Sequence, residues 1–430
     1  MARLENAGAG KILKKLTVVG AGWAGLAAAV HAVQLGWQVR LLEAAPHVGG
    51  RARRVMHHGL AFDNGQHILI GAYRETLRLM KTVGIDAEQH LWRMPLCLRR
   101  PDDSGLELPA WPAPWNMMVA IMQAKGWGWH DKLTLTGQAL RWRLNQFRAP
   151  PDMTVATLCC HLPPTVMSLL IEPLCVSALN LPPAQASAQV FLRVMQDALM
   201  GGTGSSDMLI PRTDMSRLWP DAVVQWLTQH GAEVVTGCHV QHLEELLADP
   251  VVLACPAWEA ARLTAVIEPS WSAQANDLTH TAITTVYLQA NQRLDWHSPV
   301  MALHSDTNTP AQFAFDKGKL TPGPDMQGVL AMVVSASTQD RQTTTELVQR
   351  QANDQLGLRQ TSALLTVVEK RAAFACVPGV RRPSAVVRQS LVACGDYIAG
   401  PYPSTLEGGV QSGLHAVNLL ERRHLGENKA

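Results

Sequence analysis

The stretch VVGAGWAGLAAAVHAVQLGWQVRLLEAAPHVGGRARR, running from Val18 to Arg54, decides how this chain folds. A short apolar strand ends in Gly20, Ala21 and Gly22 and passes through Trp23, Ala24 and Gly25 into an alanine-rich helix. A second strand then closes on Glu43 and Ala44. Gly20 permits a tight turn, Gly22 lets backbone approach a pyrophosphate, and Gly25 lets the helix pack close to the sheet. The helix N-terminus contributes unpaired N–H groups and the positive end of its dipole. Strand, helix, second strand and acidic residue in that order describe a dinucleotide-binding unit. Glu43 would accept hydrogen bonds from a ribose diol, which favours a cofactor with a free 2′-hydroxyl.

Six residues beyond Glu43 the chain reads Gly49, Gly50, Arg51, a second close backbone approach with a cation that can reach the same pyrophosphate. Nicotinamide-binding units do not usually need this extension. In carrying it the segment resembles the flavin-binding units of the amine oxidase and phytoene desaturase superfamily.

With 430 residues, 47% of them hydrophobic, the chain can bury a large core in two consecutive or intertwined domains. A formal net charge of +2 without a strongly basic block gives no reason to expect nucleic acid. The eight cysteines form no C-x-x-C pair, and several lie in apolar runs, as buried reduced thiols do. No H-E-x-x-H accompanies the sixteen histidines, so no metal site is expected. The uncharged run from Leu16 to Val33 after Lys14 and Lys15 imitates a signal peptide or a span. Its glycine spacing accounts for it better, which leads us to expect a cytoplasmic protein.

Arg54 to Phe62 reads as a strand pair around Gly59, and Arg74 to Leu199 as mostly helical with frequent breaks. Strand signals return at AEVVTG (Ala232 to Gly237), VVLACP (Val251 to Pro256), AITTVYLQA (Ala282 to Ala290) and GVLAMVVSAS (Gly328 to Ser337). A last strand, SLVACGD (Ser390 to Asp396), leads into a helix from about Ser404 to Glu421. GGTGSS (Gly201 to Ser206) has no strand before it and reads as a mobile loop. The fold class is therefore α/β: a doubly wound, Rossmann-like FAD-binding domain built from residues 14–74, 205–265 and 385–425. Residues 75–204 and 266–384 are left for a substrate domain of mixed sheet with a helical cap rich in Trp and Met. In that cap Trp92, Trp111, Trp115, Trp127, Trp129 and Trp142, with Met117, Met118 and Met122, read as core, as a tunnel lining or as a face that dips into a membrane.

Three further stretches narrow the resemblance. DNGQHILIGAY (Asp63 to Tyr73) is similar to the segment that passes the flavin ring in phytoene desaturases. IEPLCVSALNLPPAQASA (Ile171 to Ala188) and the tail from Lys370 to Gly413 resemble the squalene-associated, FAD-dependent desaturase-like proteins, whose assigned activity is hydroxysqualene dehydroxylation. The resemblance spans nearly the full chain. It implies FAD held by the N-terminal glycines with Glu43, Ala44, Gly50 and Arg51, by Val240, and by Gly395, Asp396, Thr405 and Leu406. It also places Gly65 and Gln66 along the isoalloxazine face. Physically, Gly395 would turn the chain at a strand end and Asp396 would bind a ribityl hydroxyl, while the following helix N-terminus would favour negative charge on a reduced flavin.

The activity so implied removes a hydroxyl reductively from a long isoprenoid, giving squalene for hopanoid synthesis. An external electron donor, of a kind the sequence does not name, would reduce the flavin, and a peripheral membrane contact is compatible with so apolar a substrate. His67, Tyr402 and Glu407 lie inside motifs expected near the flavin and are the candidates for an acid or a hydroxyl-positioning group. Each also has a bland reading: a backbone partner, a packing ring and a helix cap. A carotenoid-type desaturase, an amine oxidase and a non-enzymatic flavin-bearing protein remain open alternatives.

Overall fold

The computed structural model describes residues 14–427. Lys15–Val19, the helix Trp23–Gln34 and Gln38–Leu42 form a β-α-β start, the two strands pairing in parallel from Lys15 with Gln38 to Val19 with Leu42. Four more strands complete a six-stranded sheet in the order Glu233–Val235, Gln38–Leu42, Lys15–Val19, Val251–Leu253, Leu391–Ala393 and Val386–Arg388. The first five are parallel and the edge strand is antiparallel. Parallel strands covered on both faces need near-continuous apolar sequence, and Leu16, Val18, Val252, Leu253 and Val392 are all buried.

The helix Trp23–Gln34 is buried from Trp23 to Val30, as befits a helix covered on both sides, by the sheet and by the C-terminal helix Leu406–Glu427. Glycines set that spacing. A Cβ on Gly25 would stand 1.9 Å from the Gly20 carbonyl oxygen, and one on Gly413 would stand 2.3 Å from the Ala24 oxygen. Gly413→Val is therefore expected to force the two helices apart and cost about 1–3 kcal/mol, read as a shift in chemical denaturation. An unchanged midpoint would show that the helices are not held at this distance.

A second, antiparallel sheet runs in the order Val300–Ala302, Phe313–Asp316, Val329–Ser335, His280–Gln289 and Ser362–Phe374. Helices Trp115–Gln123, Trp129–Leu144, Glu172–Leu179 and Ala188–Met200 make up the cap. The Ile171 to Ala188 motif ties cap to sheet. Asn180, buried and left-handed at φ 52°, donates to the Thr281 hydroxyl at 2.7 Å and accepts from the Ala336 amide at 2.6 Å.

Three expectations need correction. The segment read as mostly helical contains strands Leu91–Met94, Cys97–Arg99 and Gly105–Glu107. The first of these pairs with Met208–Pro211, which also pairs with Leu69–Ile70, so a three-stranded sheet bridges the expected boundaries at 74 and 204. GGTGSS is anchored at its end, where Ser205 and Ser206 are buried and the Ala72 amide donates to the Ser205 carbonyl, while Gly202 and Thr203 are exposed. The eight cysteines are free, and six of them are buried, with Cys160 exposed. Among the described residues no three His, Cys, Asp or Glu side chains gather as a metal site, and no helix is long and apolar enough to cross a membrane.

Candidate active site

The glycine loop is built as its spacing requires. Gly20, at φ 108°, donates its amide to Leu42 at 2.7 Å, and a Cβ there would meet the Ala254 oxygen at 2.7 Å. Gly22 is extended and heads the helix with no side-chain cap. Gly50, at φ 60°, lies against it, so that a Cβ on Gly50 would stand 3.1 Å from the Gly22 Cα. The Gly49 amide donates to the Ala21 carbonyl at 2.8 Å, stitching the two glycine turns together. The Glu43 carboxylate accepts from the Ala21 amide at 2.6 Å and the Ala45 amide at 2.9 Å, which fixes an acceptor at the end of its strand beside the exposed Ala44. Trp23 serves the core: its indole donates to the Ala52 carbonyl at 3.1 Å and its ring lies 4.8 Å from that of Trp219.

The tail meets this loop. Arg51 bonds the Asp396 carboxylate at 2.6 Å and the Ala372 carbonyl at 2.7 Å. Burial works against its charge, but Asp396 and Glu369 together outweigh burial and hold the guanidinium above its ordinary value. The Thr405 hydroxyl caps the C-terminal helix, accepting from the Gly408 amide at 2.9 Å. Leu406 opens that helix, and Gly409 on it sits beside Ala24, so two helix N-termini converge on one place. Val240 lies on a loop tied to the Glu43 strand end, where the Cys238 amide donates to the Glu43 carbonyl at 2.8 Å and the Val240 carbonyl accepts from Arg262 at 2.7 Å.

Beyond the loop, three buried polar atoms lack protein partners and are left for a ligand to satisfy: His67 Nε2, Thr285 Oγ1 and the Tyr397 hydroxyl. His67 Nε2 and Thr285 Oγ1 each lie 3.9 Å from the point a Cβ on Gly65 would occupy. Buried donors and acceptors rarely stay unpaired, so this polar corner fits the edge of a flavin ring, with the paired glycines and the converging helix ends fitting its pyrophosphate. Burial first, and the Arg51 charge second, press the His67 imidazole down to about 4. It is therefore neutral at physiological pH.

The three catalytic candidates fare differently. Tyr402 is half-buried beneath the Arg193 guanidinium, 5.2 Å from its ring centre, and its hydroxyl accepts from that group at 3.3 Å. Glu407 holds a structural position. Its buried carboxylate accepts from the Glu75 and Thr76 amides at 3.1 and 2.9 Å, from the Thr76 hydroxyl at 2.6 Å and from Gln411 at 2.8 Å. It thus caps the helix Arg74–Thr82 and not its own, and every one of these bonds needs it as an acceptor.

The sequence reading missed a buried ion pair. Lys317, 4% exposed, stands 3.9 Å from the Asp63 carboxylate, itself 2% exposed, and 3.4 Å from the Gln66 side-chain oxygen. Asp63 also accepts from the Met215 amide at 2.7 Å. Burial raises Asp63 to about 6 against the opposing pull of Lys317, and burial lowers Lys317 despite Asp63. A carboxyl raised on folding contributes stability that is present below its unfolded value of 3.8 and is lost as pH rises through about 6. Relative to wild type, Asp63→Asn is thus expected to gain about 2 kcal/mol between pH 4 and 7 in chemical denaturation. A constant difference across that range would place Asp63 in a wetter setting.

Fold and site together define an FAD-dependent oxidoreductase. A family model for flavin-containing amine oxidoreductases matches residues 23–420, and the chain belongs to that family. It is 25% identical to the hydroxysqualene dehydroxylase of Zymomonas mobilis over 94% of this chain and 98% of that protein. It is also 25% identical to the hydroxysqualene dehydroxylase of Rhodopseudomonas palustris, over 95% and 98%. Among solved structures, cyclohexylamine oxidase from Brevibacterium oxydans shares the fold at TM-score 0.66 and 14% identity, covering 95% of this chain and 99% of that one.

Proposed function

We propose that the protein is a hydroxysqualene dehydroxylase, reducing an allylic isoprenoid alcohol to squalene for hopanoid synthesis. The observation that carries this reading is likeness to two such enzymes along nearly the whole length of both chains. Reduced FAD, when bound, supplies a hydride equivalent. Overall, the C–O bond breaks, the hydride forms the new C–H bond, and one proton joins the departing hydroxyl, which leaves as water.

The chain's own part is to hold the hydroxyl and to exclude water. His67, neutral and with an unpartnered Nε2, is suited to pairing with the hydroxyl, and not to storing a proton. Proton storage falls to the Lys317 and Asp63 pair, whose Nζ reaches Gln66 on the segment expected along the ring. The ring of Tyr402 is covered by a cation, which argues against its serving as an open wall for an amine substrate. An electron donor outside the chain reduces the flavin, and a substrate this apolar places the enzyme's work at the cytoplasmic membrane surface. Incubation of reduced protein with hydroxysqualene without oxygen, followed by mass spectrometry, should yield squalene. Desaturation of phytoene by oxidised protein, with hydroxysqualene untouched by the reduced form, would refute the reading. His67→Phe is expected to lower turnover by about 10²–10³-fold while FAD stays bound.

A further inference from the structure

The helix Trp129–Leu144 carries two apolar stripes. Leu135 and Trp142 face the core. Trp129, Leu133, Leu140 and Leu144 lie within an arc of about 60° on the opposite side, and are 67%, 68%, 57% and 73% exposed. A soluble surface helix has no use for the second stripe. The neighbouring helix Trp115–Gln123 repeats the arrangement, burying Ala120 and Ile121 while Trp115, Met118 and Met122 stay exposed and border an apolar groove of about 590 Å³. The two stripes meet at Lys132, whose ammonium donates to the Met122 carbonyl at 2.7 Å and stands 5.6 Å from the Trp129 ring.

Charge identifies the occupant. Residues 111–150 hold Lys125, Lys132, Arg141, Arg143 and Arg148 against a single carboxylate, Asp131, in a chain whose formal net charge is +2. Lys125 is engaged by Asp103 of the adjoining hairpin, while Arg141, Arg143 and Arg148 are exposed. Aromatic and aliphatic side chains flanked by cations match the boundary between acyl chains and anionic headgroups, where an amphipathic helix lies in the plane of the membrane. The same face adjoins a cavity of about 750 Å³ lined by Arg143, Arg148 and Arg193, the last being the residue stacked on Tyr402.

We propose that the outward face of helices Trp115–Gln123 and Trp129–Leu144 docks the protein on an anionic lipid bilayer. This docking stands whether or not the reaction proposed above is the right one. The FAD-loaded protein should float with vesicles of phosphatidylglycerol and phosphatidylethanolamine, and at least tenfold less with vesicles of phosphatidylcholine alone. The triple variant Trp129→Ser, Leu133→Ser, Leu140→Ser should lose vesicle binding at least tenfold while keeping its melting temperature, its flavin and its turnover in detergent micelles. Arg141→Glu with Arg143→Glu should weaken binding to the anionic vesicles selectively. Equal binding by wild type and the triple variant would overturn the proposal. So would a lipid-free dimer of wild type that the triple variant abolishes, because a second copy would then be what covers this face.

Discussion

Glu407→Ala is expected to destabilise the protein by about 3–5 kcal/mol, among the largest effects of any single substitution in the tail. Removal of the carboxylate leaves the Glu75 and Thr76 amides, the Thr76 hydroxyl and the Gln411 amide facing a void where Glu407 now accepts from all four. Thr76 is fully buried, so water does not readily replace the lost acceptor. Chemical denaturation should report the loss, and whatever fraction remains folded should retain its turnover per bound flavin. A stable Glu407→Ala protein with abolished turnover would restore Glu407 to the reaction.

The second large effect belongs to the cofactor. Glu43→Arg should weaken FAD retention by about 1.5–3 kcal/mol, or roughly tenfold to a hundredfold, because it removes a charged acceptor from the end of its strand. It also frees the Ala21 and Ala45 amides that the carboxylate now holds at 2.6 and 2.9 Å, loosening the glycine loop itself. Flavin absorbance against protein after gel filtration gives the readout. Full retention of flavin by Glu43→Arg would mean that the ribose is bound elsewhere.

The parts of this fold that can be read from sequence are those whose reasons are local. Gly20, Gly22 and Gly25 announce a turn, a helix start and a close packing within a few residues, and the tail does the same around Gly395 and Thr405. The strands Leu91–Met94, Cys97–Arg99 and Gly105–Glu107 escaped because runs of three or four residues give period-two alternation too little length to appear. The GGTGSS segment read as mobile because its anchor, the turn at Gly71 and Ala72, lies far off in the chain. Lys317 was invisible for the same reason: nothing in FAFDKGK signals that its ammonium is buried against Asp63 and Gln66, 251 residues before it in the latter case. Glu407 sits where a helix-capping residue is anticipated, yet it caps a helix 331 residues away. The doubled apolar stripe of Trp129–Leu144 was legible as composition, and only the fold separates the buried Trp142 from the exposed Trp129.

The direction in which electrons move defines the reaction, and isotope transfer tests it most directly. Protein reduced in D2O without oxygen and mixed with hydroxysqualene should yield squalene carrying a single deuterium at the carbon that lost its hydroxyl, with one squalene formed per flavin oxidised. Hydroxysqualene recovered intact from the reduced protein, together with hydrogen removed from a polyene by the oxidised form, would contradict the account.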